Sequence, residues 1–315
     1  MRILAWLVVM APWAAVPAAP LLEDSFAATD LGDAAQGVYK AGAELKDPAN
    51  ASVAGGPLVG WKADSPWAVN TGLVKVSSKG LTSSSVTGSG GSVEFRGQND
   101  AKERFASRAL APFPPINTAY YSATLMATAL DGDAVSLVAF TDMPGELRAL
   151  PILTQEGKFY RGFGLGFKGD GKGGMDLVLR FRDGNQAYVD HVLQAGIAAL
   201  TPYTIVTKVA WNTLPQGRSA ITCWVNPGAE EPATGGINLT GFIGDNAAAN
   251  VLDTVFFLQK GFGQGSSDLV LIDELRLAGT WADLKLLSPA PTPAAAPPAA
   301  PAPPAPPPAA PPAAP

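Results

Sequence analysis

Apolar and polar residues alternate along most of this chain, in short runs broken by Gly, Asn, Asp and Pro. The runs are Leu21–Phe26, Leu73–Ser77, Ser92–Arg96, Tyr120–Leu130, Ala134–Asp142, Phe159–Lys168, Met175–Asp183, Gln186–Leu193, Thr204–Trp211, Ala220–Asn226, Thr254–Lys260 and Asp268–Ala278. A period of two sends successive side chains to opposite faces of a pleated strand, so each run predicts a half-buried β-strand. Asp183-Gly184-Asn185, between two runs, predicts a hairpin, because glycine supplies the positive φ that a tight turn needs. The glycine-rich stretch Lys168–Gly174 predicts another turn, and Ala27–Gly60 reads as an irregular wrapping loop. No helical apolar period persists over several turns, which leaves room only for short helices. Strands at this spacing imply an all-β sandwich or barrel.

The two ends follow other rules. Arg2 followed by the apolar run Ile3–Val16 and by Val16-Pro17-Ala18 has the order of a bacterial-type secretory signal, with cleavage expected after Ala18. The run is shorter than the roughly 20 residues needed to span a bilayer. From Pro289 to Pro315 the chain is nearly all Pro and Ala and holds 14 of its 29 prolines. Such a segment has few backbone donors and builds no core. It is expected to form a disordered, extended spacer of about 80 Å. The expected organisation is therefore a signal over 1–18, a folded domain over 19–288 and a tail over 289–315. The mature chain is expected outside the cytoplasm, secreted or in the cell envelope, with no membrane span of its own.

Composition narrows the partners. The net charge is −5, and −6 once Arg2 leaves with the signal, with no basic cluster to hold nucleic acid or an anionic membrane. The single cysteine, Cys223, alternates with apolar neighbours and is expected in the core. The single histidine, His191, has Val189 and Leu193 on its parity and is expected to be half-buried rather than catalytic.

The closing stretch Leu269-Val-Leu-Ile-Asp-Glu-Leu-Arg-Leu-Ala-Gly-Thr-Trp-Ala-Asp-Leu284 resembles the last strand of LamG-like, concanavalin A-type jelly rolls, where an I-D-E-[VIL]-R-[IL] signature is common. Leu21–Phe26 and Trp224–Pro232 are similar to secreted bacterial proteins of that type. The resemblance spans most of Leu21–Leu284. It implies a two-sheet antiparallel β-sandwich with one sheet concave. The family includes glycan binders, glycosidases and modules of no known activity, so the fold leaves function open.

Candidate chemistry is sparse. Glycosidases of this fold class place two carboxylates on one strand face as E-x-D-x-E or a close variant, and no segment here matches. Glu23-Asp24, Glu230-Glu231 and Asp273-Glu274 are adjacent in sequence and point to opposite faces of a strand. Asp131-Gly132-Asp133 lacks the rest of a calcium loop and reads as a turn. On these grounds the chain is not expected to be an enzyme. Two constellations remain. Asp273 shares parity with Leu269, Leu271, Leu275 and Leu277, and Asp24 with Leu22 and Phe26. A carboxylate on an apolar face needs hydrogen-bond donors or a cation. First and last strands often lie side by side, so Asp24 and Asp273 together are a candidate structural calcium site, the alternative being backbone N–H donors at a strand end or bulge. The second constellation is a glycan face. Tyr120, Tyr160, Tyr188 and Trp224 each share parity with polar residues, and Arg180 and Arg182 share a face with Asp176. Aromatic rings stack on the C–H faces of sugars, and planar polar groups match the hydroxyls.

The leading expectation is a non-catalytic sandwich module that binds a polysaccharide, cell-surface glycan or another extracellular polymer. The alternatives are a structural or adhesive envelope protein and a divergent glycoside hydrolase. The hydrolase would reveal itself if two of Glu94, Asp176 and Asp190 faced each other across one concave groove. N-terminal sequencing of protein exported from a bacterial host is expected to begin at Ala19; a mature chain beginning at Met1 would overturn the signal.

Overall fold

The computed structural model describes residues 20–287 apart from 52, 54–58, 63–64, 70–73, 89, 97–103, 114–115, 129, 131, 133, 142–161, 184–187, 244–251 and 262–267. The signal, the Pro/Ala tail, Tyr160, Asp131, Asp133 and the Gly184-Asn185 turn lie outside the described residues. The strands are β1 (Leu22–Asp24), β2 (Ala28–Thr29), β3 (Tyr39–Lys40), β4 (Ala68–Val69), β5 (Val74–Ser77), β6 (Ser92–Arg96), β7 (Arg104–Ala109), β8 (Thr118–Ala127) and β9 (Val135–Thr141). They continue with β10 (Phe163–Gly169), β11 (Met175–Arg182), β12 (Tyr188–Gln194), β13 (Tyr203–Leu214), β14 (Arg218–Val225), β15 (Ile237–Gly241), β16 (Thr254–Lys260) and β17 (Leu269–Ala278). Among the described residues the α-helical content is one short turn, Pro48–Ala51.

Two antiparallel sheets form a β-sandwich. The first runs β15-β14-β13-β8-β17-β6-β5, with β1 also pairing β17; the second runs β12-β11-β10-β9-β16-β7-β4. Period-two alternation explains the core. Ala119, Tyr121, Ala123 and Leu125 of β8 and Ile205, Val209 and Trp211 of β13 face Phe163, Leu165 and Phe167 of β10 and Leu177, Leu179 and Phe181 of β11. Tyr121 packs edge-on against Phe163, with ring centroids 5.0 Å apart. Trp61 and Trp67 extend this core, and Trp67 stacks on Phe257 at 5.1 Å. Strands β2 and β3 pair in parallel within the otherwise irregular stretch before β4.

The N-terminal strand enters the core through a buried polar knot. Asp24 is fully buried and accepts hydrogen bonds from the Phe26 N–H, the Tyr39 hydroxyl and the Trp61 indole N–H, each at 2.8 Å. Burial raises its pKa, against the pull of those donors and of the nearby Arg108 charge. Arg108 lies over the Trp61 ring and donates to the carbonyls of Val53 and Ser65. This knot satisfies a carboxylate on an apolar face through donors from three separate segments.

Cys223 is fully buried, and its sulfur lies 3.3 Å from the Thr207 hydroxyl. Burial pushes the thiol up to about 12. The thiolate is the reactive form. At pH 8 the folded protein is therefore expected to resist iodoacetamide and to take up one equivalent only after unfolding in urea, as read by mass spectrometry. Rapid labelling of the native chain would contradict this.

Candidate functional site

The outer face of the first sheet is largely covered by the chain itself. Strand β17 carries a bulge at Asp273-Glu274, where Glu274 takes a left-handed φ of 51° and the pairing with β8 shifts register. The extra residue inverts the parity of the strand. Before the bulge, Leu271 and Asp273 point outward; after it, Leu275 and Leu277 point into the core and Arg276 points out. Asp273 accepts the Leu81 N–H at 2.7 Å and the Glu274 N–H at 2.8 Å, tying the segment around Leu81 to the sheet. Arg276 donates to the carbonyls of Leu284 and Lys285 and to Glu274, tying down the segment after β17. Under these two straps Val86, Tyr120, Val206, Trp224, Ala278, Trp281, Leu284 and Leu286 form a second apolar cluster.

This geometry sets apart the two aspartates of the calcium expectation. Asp24 pairs with Leu275 in register and faces the core, whereas Asp273 lies on the opposite face of the same sheet. Parity counting placed Asp273 among four leucines because it could not see the bulge. Both oxygens of each carboxylate accept hydrogen bonds, the alternative that the sequence left open for them. Among the described residues no group of three or more His, Cys, Asp and Glu is arranged to hold a metal ion.

The glycan face also divides. Tyr120 and Trp224 share the outer face of the first sheet, but they are buried, 7% and 8% exposed, and Trp281 packs edge-on to both. Their rings therefore offer no open platform for stacking. Arg180 and Arg182 lie on the other sheet, in β11, and pair in register with Asp190 and Tyr188 of β12. The Tyr188 side chain lies outside the described residues, as Tyr160 does.

On that second sheet the structure gathers a charged group that single-strand reading missed. Lys168 of β10, Asp176 and Arg180 of β11 and Asp190 of β12 occupy outward positions, alternating with the core residues Phe167, Leu177, Leu179 and Phe181. Arg180 grips Asp190 with two parallel bonds, Nε to Oδ1 at 2.6 Å and Nη2 to Oδ2 at 2.9 Å. Lys168 Nζ reaches the same Oδ2 at 2.9 Å. Burial pushes the Asp190 carboxyl up, but the two cations outweigh it and hold it below the usual range. Asp190 is therefore ionised at neutral pH. Lys168, Asp170, Lys172, Asp176, Asp190 and Gly196 border a cleft of about 570 Å³. Of the three carboxylates proposed for a hydrolase groove, Asp176 and Asp190 both border this cleft, Asp190 opposite Arg180, four residues along β11 from Asp176, while Glu94 sits on β6 of the other sheet.

No protein-family model matches the sequence, and no curated protein matches it. Solved structures with a similar course of chain include the carbohydrate esterase vb_24B_21 from the Shiga toxin-encoding bacteriophage phi24B. It is 13% identical, with 67% of this chain and 88% of that one covered and a TM-score of 0.39. The PL-14 alginate lyase from Aplysia kurodai is 9% identical over 65% of this chain and 86% of its own, with a TM-score of 0.41. An endo-β-1,4-glucuronan lyase from Trichoderma reesei is 12% identical over 71% and 93%, with a TM-score of 0.36. The proteins named are carbohydrate-active enzymes, which runs against the expectation that the chain is not an enzyme. That expectation rested on the lack of a catalytic motif within one strand. The cleft on the second sheet draws its charged groups from three neighbouring strands, an arrangement that leaves no local motif.

Burial pushes Asp273 well above the ordinary carboxylate value of 3.8, the neighbouring Glu274 charge adds to it, and the two N–H bonds only partly oppose it. A carboxyl raised in the folded state binds its proton more tightly there than in the unfolded chain. Its contribution to stability is complete below 3.8 and is lost as pH climbs toward the raised value. Unfolding free energy is therefore expected to fall as pH rises through the mildly acidic range, and Asp273→Asn should flatten that slope in urea melts. Parallel curves for wild type and variant would contradict the assignment.

Proposed function

We propose that this is an extracytoplasmic carbohydrate-active enzyme of the LamG-like, concanavalin A-type group, which cleaves a polysaccharide held in the cleft of Lys168, Asp176 and Asp190. The observation that carries the reading is Asp190, an ionised carboxylate fixed by two cations at the edge of a cleft that Asp176 also borders. Cleavage of a glycosidic bond uses carboxylates beside the scissile bond, and Asp176 and Asp190 are two that border this cleft. Arg180 and Lys168 keep Asp190 charged and hold it in one orientation, which is the work of positioning residues. Asp176 accepts the Gly196 N–H at 2.9 Å, and both residues border the same cleft. The Ile272-Asp273-Glu274-Leu275-Arg276-Leu277 stretch supports the LamG-like assignment, with the strand bulge falling at its Asp-Glu pair.

A panel of neutral and uronate polysaccharides, assayed for reducing ends and for unsaturated products, tests the reading. Wild-type protein is expected to release product from at least one, and Asp190→Asn to slow release by about a hundredfold or more. Unsaturated products would assign elimination, saturated ones hydrolysis. No product from any polysaccharide, or undiminished release by an Asp176→Asn/Asp190→Asn double variant, would overturn it.

A further inference from the structure

A second cleft lies on the other side of the sandwich, and it does not depend on the first. Register across the first sheet sets Tyr120, Lys208, Thr222 and Asn238 in one outward row over four neighbouring strands. The loop after β14 bends back so that Glu231 and the residues up to Gly236 wall this row, enclosing a cleft of about 360 Å³. Its polar groups are already held in place. Glu231 takes the Lys208 ammonium at 2.7 Å on one oxygen and the Tyr120 hydroxyl at 2.9 Å on the other. Lys208 also sits over the Tyr120 ring. The Thr222 hydroxyl donates to Asn238 Oδ1 at 2.8 Å. The Trp224 indole N–H, more than nine-tenths buried at the cleft wall, has no partner. Gly236 closes against it: a β-carbon there would come within 2.8 Å of that nitrogen.

We infer that this cleft is a second carbohydrate site, selective for neutral saccharides. A sugar hydroxyl both donates and accepts, and the row offers both kinds of partner: Glu231 and the Thr222 oxygen accept, and Lys208 and the Asn238 amide donate. Charge decides against an acidic sugar, because Glu231 already neutralises Lys208 and would repel a uronate. A peptide would seek an exposed aromatic or large apolar anchor, and the described lining residues offer none, since Trp224 presents only its buried edge.

Isothermal titration of the full chain with cellohexaose, xylohexaose and maltohexaose as neutral probes, and trigalacturonate as the charged one, tests the site. At least one neutral probe is expected to bind. Glu231→Ala and Asn238→Ala should each weaken binding about tenfold, the cost of a lost hydrogen bond to a held group. Asp190→Asn, which alters only the opposite face, should leave this binding unchanged. If Glu231→Ala lowers the melting temperature, the solvent-exposed Asn238→Ala decides alone. Failure of every neutral probe, preference for trigalacturonate, or loss of binding in Asp190→Asn but not in Asn238→Ala would overturn the site. None of these outcomes touches the catalytic reading, which is judged by product release.

Discussion

A single left-handed residue, Glu274, sets the exposure of much of the molecule. A non-glycine residue at φ 51° is held there only when its surroundings demand it. Here the demand comes from both sides of β17. Leu275 and Leu277 must enter the core beside Leu22, yet Arg276 must face outward to hold the carbonyls of Leu284 and Lys285. One extra residue satisfies both, and Asp273 stabilises it by accepting the Glu274 N–H. The same carboxylate captures Leu81, so the two straps over the first sheet are fastened within four residues of each other. With much of that face covered, its openings lie toward the sheet's two ends, among them the small cleft at the β13–β15 edge, while the cleft of Asp176 and Asp190 lies on the other sheet.

Much of the fold was legible because alternation is a local signal. Ser92–Arg96 and Thr254–Lys260 were bounded as they stand, and ten further strands lay within a few residues of their predicted limits. Strand β7 was not legible, and the reason is physical. Its core-facing positions include Arg104 and Arg108, so its pattern does not alternate apolar with polar. Those arginines are tolerated inside because each finds a backbone carbonyl: Arg96 for the first, Val53 and Ser65 for the second. Such partners are distant in sequence and leave no trace in a window of neighbours. Strand β15 was missed for a simpler cause, being short and at the edge of its sheet.

The candidate site was only half visible for the same reason. Parity identified Arg180 beside Asp176 and left Asp190 with Tyr188, but which strands are neighbours is a property of the whole topology. The ion pairs that make Asp190 a fixed anion join β10 to β12 across the strand between them. Parity set Tyr120 and Trp224 each among polar residues of its own strand, yet their burial under Trp281 depends on a strap that begins beyond the last strand. The side chains that replace them at the cleft, Glu231 and Asn238, come from a loop and an edge strand whose patterns carry no signal of their own.

The two clefts open on opposite outer surfaces of a sandwich whose sheets stand about 10 Å apart. A stiff polymer strand lying along one surface cannot also lie along the other without bending round an edge. Occupied together, the clefts would therefore engage two separate strands, or two distant stretches of one. In a network of packed chains that is bivalency: the first contact raises the effective concentration of the second, and residence on the network outlasts either contact alone.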